Sequence, residues 1–279
     1  MKIDHGLYVV ATPIGNMGDM VHRAVHVLQT VALIAAEDTR HSQRLFQHYD
    51  IHTAAIPYHE HSEEHTAQKV IAALDAGDSV ALISDAGTPL ISDPGYRLVN
   101  QVRAAGHRVL PVPGANAAIA ALSVAGLPTD SFLFIGFLPV KSAARSDKLR
   151  ALRELPHTLV CYEAPHRVIA CLEDMRRELG PDRPAVLARE LTKMHETVYC
   201  GDLAQLCDFV SSDANQQRGE IVILVQGERE QKDVTDVEAS RVLDILLQDL
   251  PLKQAAALAA QITGAKKNQL YQQALNKKR

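Results

Sequence analysis

The chain has 279 residues, enough for about two domains of ordinary size, and its 47% apolar and 22% charged residues exclude an intrinsically disordered protein. A formal charge of −4 excludes a globally basic nucleic-acid coat, and the longest apolar runs, such as residues 80–84 and 221–225, fall far short of the roughly 18 residues of a bilayer span. The first residues lack the order of a secretory signal, and Cys161, Cys171, Cys200 and Cys207 have no C-x-x-C spacing, so a reducing, cytoplasmic location without membrane contact is expected.

Short β-branched runs alternating with helical patterns predict a parallel sheet covered by helices. Leu7 to Thr12 reads as the first strand. Asp19 to Thr30 reads as a helix, with apolar residues at Met20, Ala24, Val27 and Leu28, and Ala32 to Ala36 as the second strand. Thr66 to Ala76 is a helix closed by Gly77, Ser79 to Ser84 a strand buried on both faces, Gly95 to Ala105 a helix closed by Gly106, and Arg108 to Val112 a strand. A second α/β unit begins near Asn116 with the small-residue helix Ala117 to Ala125, followed by strands at Phe132 to Phe137, Thr158 to Tyr162, Ala185 to Ala188 and Glu220 to Gln226. The polar stretch Glu228 to Asp236 reads as a linker into helices at Val237 to Leu250, Lys253 to Ile262 and about Lys266 to Leu275. Two of these, joined by Thr263-Gly264, resemble a helix-turn-helix. The expected division is therefore 1–116, 117–228 and 236–279.

Charge is uneven. Leu250 to Arg279 holds six basic residues, Lys266 and Lys267 among them, and no acidic one, which leaves the rest of the chain at −10. Such a patch suits a polyanion, the alternative being an ordinary solvated tail. A second basic stretch, Lys141, Arg145, Lys148, Arg150 and Arg153 against Asp147, follows a strand and reads as a loop where α/β proteins place ligands.

Three Gly/Pro loops leave the carboxyl ends of first-unit strands: Thr12 to Asn16, Ser84 to Pro89 and Pro111 to Asn116. Turn geometry explains any one of them, but three on one side of a sheet point to a ligand held by backbone groups. The chain has no G-x-x-x-x-G-K-[ST] loop and Gly15 to Gly18 lacks G-x-G-x-x-G spacing, which disfavours ATP and NAD. Asp85 and Asp93 suit a ligand with a ribose or a positive centre. His59, His61 and His65 cluster without a cysteine ahead of an amphipathic helix, so a solvated cap is favoured and no metal is expected.

The ordered set Thr12 to Asn16, Ala36 to Arg40, Ser84 to Tyr96, Val112 to Gly114, Gly136 to Pro139, Tyr162 to Arg167 and Ala188 to Lys193 resembles the ribosomal RNA small subunit methyltransferase I family, within the tetrapyrrole-methylase-like superfamily. The resemblance covers nearly the whole chain. It implies two α/β domains of the tetrapyrrole methylase type, a small C-terminal helical domain and a homodimer. It further implies S-adenosylmethionine as methyl donor and the ribose 2′-hydroxyl of a cytidine in the decoding region of 16S RNA as acceptor, on free RNA or the 30S subunit. Carried over by position, it places the donor on Pro13, Gly15, Asp85, Gly87, Thr88, Asn116 and Ala117, with Glu163, Ala188 and Gly219 closing over it.

Methyl transfer to an alcohol needs in-line alignment and a group to take the hydroxyl proton. Asp38, Glu163 and Glu190 are the candidates, each at or just beyond a strand end; the competing reading is that Glu37 to Arg40 and Arg189-Glu190 pair with each other across the domain cleft and stabilise closure. Arg40, Arg167, Arg189 and Lys193 are candidate holders of RNA phosphates, with Lys141, Arg145, Lys266 and Lys267. His166 lies in the Tyr162 to Arg167 motif, with a functional and a structural role both open. Two rivals share the scaffold: a methyltransferase for a small planar substrate, against which the basic C-terminal helices argue, and a non-catalytic RNA-binding factor.

Overall fold

Leu7–Val10 (β1), Leu33–Ala36 (β2), Ala55–Pro57 (β3), Val80–Ile83 (β4) and Val109–Val112 (β5) pair in parallel in the order β3-β2-β4-β1-β5. The computed structural model describes residues 3–58, 63–228 and 234–277. Alternate residues of β4 explain why the sheet is covered on both sides. Ala81 and Ile83 pack with Ala24, Val27 and Leu28 of α1 (His22–Thr30) and Leu45 of α2 (Thr39–His48). Val80 and Leu82 pack with Val70 and Leu74 of α3 (Glu63–Asp75) and Leu98 and Val102 of α4 (Tyr96–Ala104).

The second sheet holds Phe132–Phe137 (β6), Thr158–Glu163 (β7), Pro184–Arg189 (β8), Thr197–Asp202 (β9) and Ile221–Val225 (β10) in the order β6-β7-β10-β8-β9. Only β6 and β7 are parallel; the other pairs are antiparallel. Cys161, Leu187 and Ile223 face a core shared with residues of the later helices, whereas Val160, Val186, Val222 and Leu224 face Ala118, Ala121 and Leu122. Those last three belong to Ala117–Val124 (α5), which leaves the first sheet and packs on the second. The outer face carries Ser142–Leu152 (α6), Val168–Leu179 (α7) and Leu203–Ser212 (α8).

Both sheets lie in one unit, Met1–Gly227; Glu228–Arg279 is a second. In that second unit Val234–Asp249 (α9), Leu252–Thr263 (α10) and Lys267–Lys277 (α11) bury Ala239, Leu243, Ala255, Ala256, Ala259, Leu270 and Ala274 together. Gly264 closes α10 in the left-handed conformation, its N–H donating to the Ala260 carbonyl at 2.9 Å.

Two expectations need correcting. The span 19–30 is not one helix: Asn16 caps a single 3₁₀ turn at Met17–Asp19, and the extended Val21 separates it from α1. The basic stretch after β6 is helix α6 rather than a loop, because Ser146, Leu149 and Leu152 give it a buried face that its charges mask in sequence. The polar α2 and β9 carried too weak an apolar pattern to be read. His59, His61 and much of the linker lie outside the described residues. Among those described, no group of side chains is placed to hold a metal and no helix is long and apolar enough to cross a membrane.

Candidate methyl-donor cleft

The carboxyl ends of β4, β1 and β5 are neighbours, and the loops leaving them are joined through main-chain atoms. Thr12 and Gly87 exchange two backbone hydrogen bonds, at 2.9 and 3.1 Å, and the Ala11 N–H donates to Val112 at 3.1 Å. The Thr88 hydroxyl donates to the Ala115 carbonyl at 3.0 Å. Gly87 has φ +81°, and a β-carbon there would lie 3.2 Å from Ile14. Asn116 spends its side-chain oxygen on the Ile119 N–H as the cap of α5.

Leu90 and Ser92 farther along the loop after β4, and Glu190 and Thr192 in the opposing loop after β8, all take positive φ without being glycine, a concentration of backbone strain typical of functional sites. The Asn16 N–H donates to the Thr192 hydroxyl at 3.1 Å, linking the loop after β1 to the loop after β8. The Glu190 carboxylate accepts from the Glu220 N–H at 2.8 Å and the Lys193 ammonium at 2.9 Å. It fills the space beside Gly219, where a β-carbon would come within 2.4 Å of it.

Between the two sets lies a cleft of about 380 Å³, within the range of small-molecule sites. Ile14, Leu191, Ala188 and Val222 give it apolar walls, and Glu37, Asp85 and Asp93 an acidic one. The Asp85 N–H donates to Glu37 at 3.2 Å, and the Asp85 carboxylate accepts from the Asp38 N–H at 3.1 Å. Burial raises the Glu37 carboxyl above the usual range, the Asp85 N–H opposing and the Asp85 charge adding. Burial also pushes Asp93 up to about 6, against a hydrogen bond from Ser84 and with help from the charges of Glu37 and Asp85.

Of the sequence candidates for the donor site, Asp85, Gly87, Thr88, Asn116, Ala117, Glu163, Ala188 and Gly219 line this cleft, and Pro13 and Gly15 flank Ile14, which does. The proton acceptors fare differently. The Asp38 carboxyl is held down at about 2 by hydrogen bonds from the Arg40 side chain and backbone, and it is the cap of α2. Glu190 is drawn below its ordinary value by the Glu220 N–H and Lys193, although burial opposes them. Glu163 lines the cleft, yet its carboxylate is buried on the Ala164 N–H at 2.7 Å and Arg167 at 3.1 Å. Each of these carboxylates is paired on its own side of the cleft, Asp38 with Arg40, Glu190 with Lys193 and Glu163 with Arg167, rather than across it. Glu37 and Asp93 are the cleft carboxyls with raised proton affinity, and Asp93, which the sequence marked with Asp85 for a ribose or a positive centre, is the one pushed up to about 6; that signal depends on burial that no local motif reports.

Several expected phosphate contacts also need correction. Arg145 is 3% exposed, bound to Asp174 and to the Pro139 and Val140 carbonyls, and Arg189 is 7% exposed on Gln216, His195 and Thr197. An arginine whose donors are consumed internally has none for RNA. Arg167 is turned toward Glu163 and the Leu138 carbonyl, and Lys193 toward Glu190 and Glu220. Arg40, Lys141, Lys266, Lys267 and His166 are exposed.

The family model of tetrapyrrole (corrin/porphyrin) methylases matches residues 6–207, and the chain belongs to that family: it is an S-adenosylmethionine-dependent methyltransferase. Solved structures agree on the fold, among them uroporphyrin-III-C-methyltransferase from Thermus thermophilus (TM-score 0.56, 21% identity, 80% of this chain and 94% of that one) and a diphthine synthase (TM-score 0.61, 13% identity, 79% and 89%).

Within the family the chain falls among the ribosomal RNA small subunit methyltransferase I proteins. It is 59% identical over 273 residues to the one from Pseudomonas aeruginosa, covering 97% of each chain, and 51% identical over 269 residues to the one from Escherichia coli O157:H7, covering 96% of this chain and 94% of that one. Residues 233–278 match the RsmI C-terminal HTH domain.

The cleft fits the donor: its acidic wall complements a sulfonium cation, and its apolar walls suit the uncharged adenine ring.

Proposed function

We infer that the chain methylates the ribose 2′-hydroxyl of a cytidine in the decoding region of 16S RNA, and that it does so in the cytoplasm as a homodimer. The acidic, two-sided cleft carries the reading: Glu37, Asp85 and Asp93 form one wall of a pocket of small-molecule size in a chain that belongs to a methyltransferase family. Bound donor would supply an electrophilic methyl group. Asp85, Gly87, Thr88, Asn116 and Ala117 would hold it from one side, and Glu163, Ala188 and Gly219 from the other.

The chain's own part in the chemistry is to desolvate, align and remove a proton. Asp93 is assigned the proton. A carboxyl poised near 6 is ionised at neutral pH yet basic enough to accept, whereas Asp38 at about 2 is a far weaker acceptor already engaged by Arg40. Arg40 and Lys141 are assigned to phosphates near the cleft unit, and Lys266 and Lys267 to RNA docking by the second unit, which contains the expected domain 236–279. The apolar residues Ile119 and Val124, exposed on α5, suit a contact between copies.

The test is incubation with labelled donor and 30S subunits or small-subunit RNA lacking the modification, followed by nucleoside mass spectrometry. A 2′-O-methylcytidine is expected. Label on a base, or none with either substrate, overturns the reading.

A further inference from the structure

Phe137 is an aromatic ring set in the wall of the cleft and still 54% exposed. The chain contains no tryptophan and five phenylalanines, so a large aromatic left open to water at the mouth of the site calls for an explanation. Its position is built with care. The β6–β7 register slips between Phe134 and Gly136, where Gly136 takes φ +69°, and this turns the end of β6 toward the first-sheet loops. A β-carbon on Gly136 would lie 3.2 Å from the Ser92 hydroxyl, which places the residue before Phe137 directly against the residue before Asp93.

The segment after the ring is fixed from below. Arg167 donates to the Leu138 carbonyl at 2.6 Å, and buried Arg145 donates to Pro139 and Val140 at 3.3 and 3.2 Å while Asp174 holds its other side. Tyr162 meets the Phe137 ring edge-on, with centroids 5.9 Å apart. The ring is therefore rigid, flanked and open on a face, the features of a stacking platform.

Resting on the ribose-methylation reading, we propose that Phe137 stacks the pyrimidine base of the nucleotide being methylated and so sets its ribose beside Asp93. Selection of one nucleotide in RNA works on bases splayed out of their stack, and an aromatic face replaces the lost stacking without demanding hydrogen bonds. Phe137 is a positioning residue; the proton goes elsewhere.

The test compares Phe137→Tyr, Phe137→Trp, Phe137→Leu and Phe137→Ala in methylation of unmodified 30S subunits, with donor affinity by calorimetry and melting temperature for each. Stacking predicts that Tyr and Trp keep kcat/KM for the RNA within about threefold. Leu, similarly apolar but without a π face, and Ala lose about 10- to 100-fold, with donor affinity unchanged. If Leu performs like the parent, or if Trp is as poor as Ala while still folded, stacking is overturned. Loss of donor affinity in step with RNA activity would place the ring against the donor and also overturn it. Wild-type protein that labels the ribose while the variants fail this pattern sinks only the present proposal; wild-type protein that labels no ribose sinks the reading beneath it.

Discussion

The backbone N–H of Asn16 donates to the Thr192 hydroxyl at 3.1 Å, so that a loop of the first sheet is tied to a strained loop of the second. Thr192→Val keeps the β-branched shape at φ +66° and removes the acceptor. A hydrogen bond of this kind has a net worth of about 0.5–1.5 kcal/mol. Donor affinity measured by calorimetry should fall about 2- to 10-fold, with melting temperature nearly unchanged. An unaltered affinity would show that the tie plays no part in holding the donor.

Asp93→Asn should lower kcat by about 10²- to 10⁴-fold, the usual worth of a positioned base. In the parent, kcat/KM should rise with pH and level off above about 6, because the carboxyl must be ionised to accept a proton. The cationic donor should pull that limb to lower pH in kcat, and Asn should abolish it. Stability moves the other way. A carboxyl whose folded-state value is raised stabilises the fold fully below its unfolded value and loses that contribution as pH rises through about 6, so at pH 8 the variant should melt higher than the parent. The gain is at most about 1 kcal/mol once solvent screening of a half-exposed group is allowed for. A flat parent profile from pH 5 to 8 would remove Asp93 from the mechanism.

Arg145→Ala should act on folding rather than on RNA. It removes one of the two arginines on buried Asp174, leaving Arg177 and Ser142, and frees the Pro139 and Val140 carbonyls, a loss of about 1–3 kcal/mol. Chemical denaturation should show this, whereas the salt dependence of RNA binding by the folded fraction should match the parent. A reduced salt slope with unchanged stability would restore Arg145 as a phosphate contact.

Lys266→Ala with Lys267→Ala should weaken RNA binding alike across sequences and reduce the slope of log K against log salt by about 2, leaving donor affinity intact. The check is a binding titration at several salt concentrations. An unchanged slope would return these lysines to an ordinary solvated surface.

The strands were legible in sequence because 80–83 and 221–225 are apolar without interruption, and the three cleft loops because glycine and proline punctuate strand ends. Helix α2 was not, since within Thr39–His48 only Leu45 and Phe46 are large and apolar. The edge strand β9 has no fully buried residue. Asp85 could be read from its loop. The proton affinity of Asp93 could not, because it arises from Glu37 and Asp85 at other positions and from burial. Arg145 and Arg189 misled for a related reason: a guanidinium reads as surface until the partners that absorb its donors, such as Asp174 and Gln216, are brought to it by the fold.

The loops of the first sheet are stitched by main-chain pairs, Thr12 with Gly87 and Ala11 with Val112, that any residue type with the right torsions can make. An architecture whose grip is written in peptide groups tolerates wholesale turnover of its side chains, which accounts for a shared scaffold at 13% and 21% identity. Innovation is then free to collect at the rim, where rings and charges choose the acceptor, while the frame beneath is inherited intact.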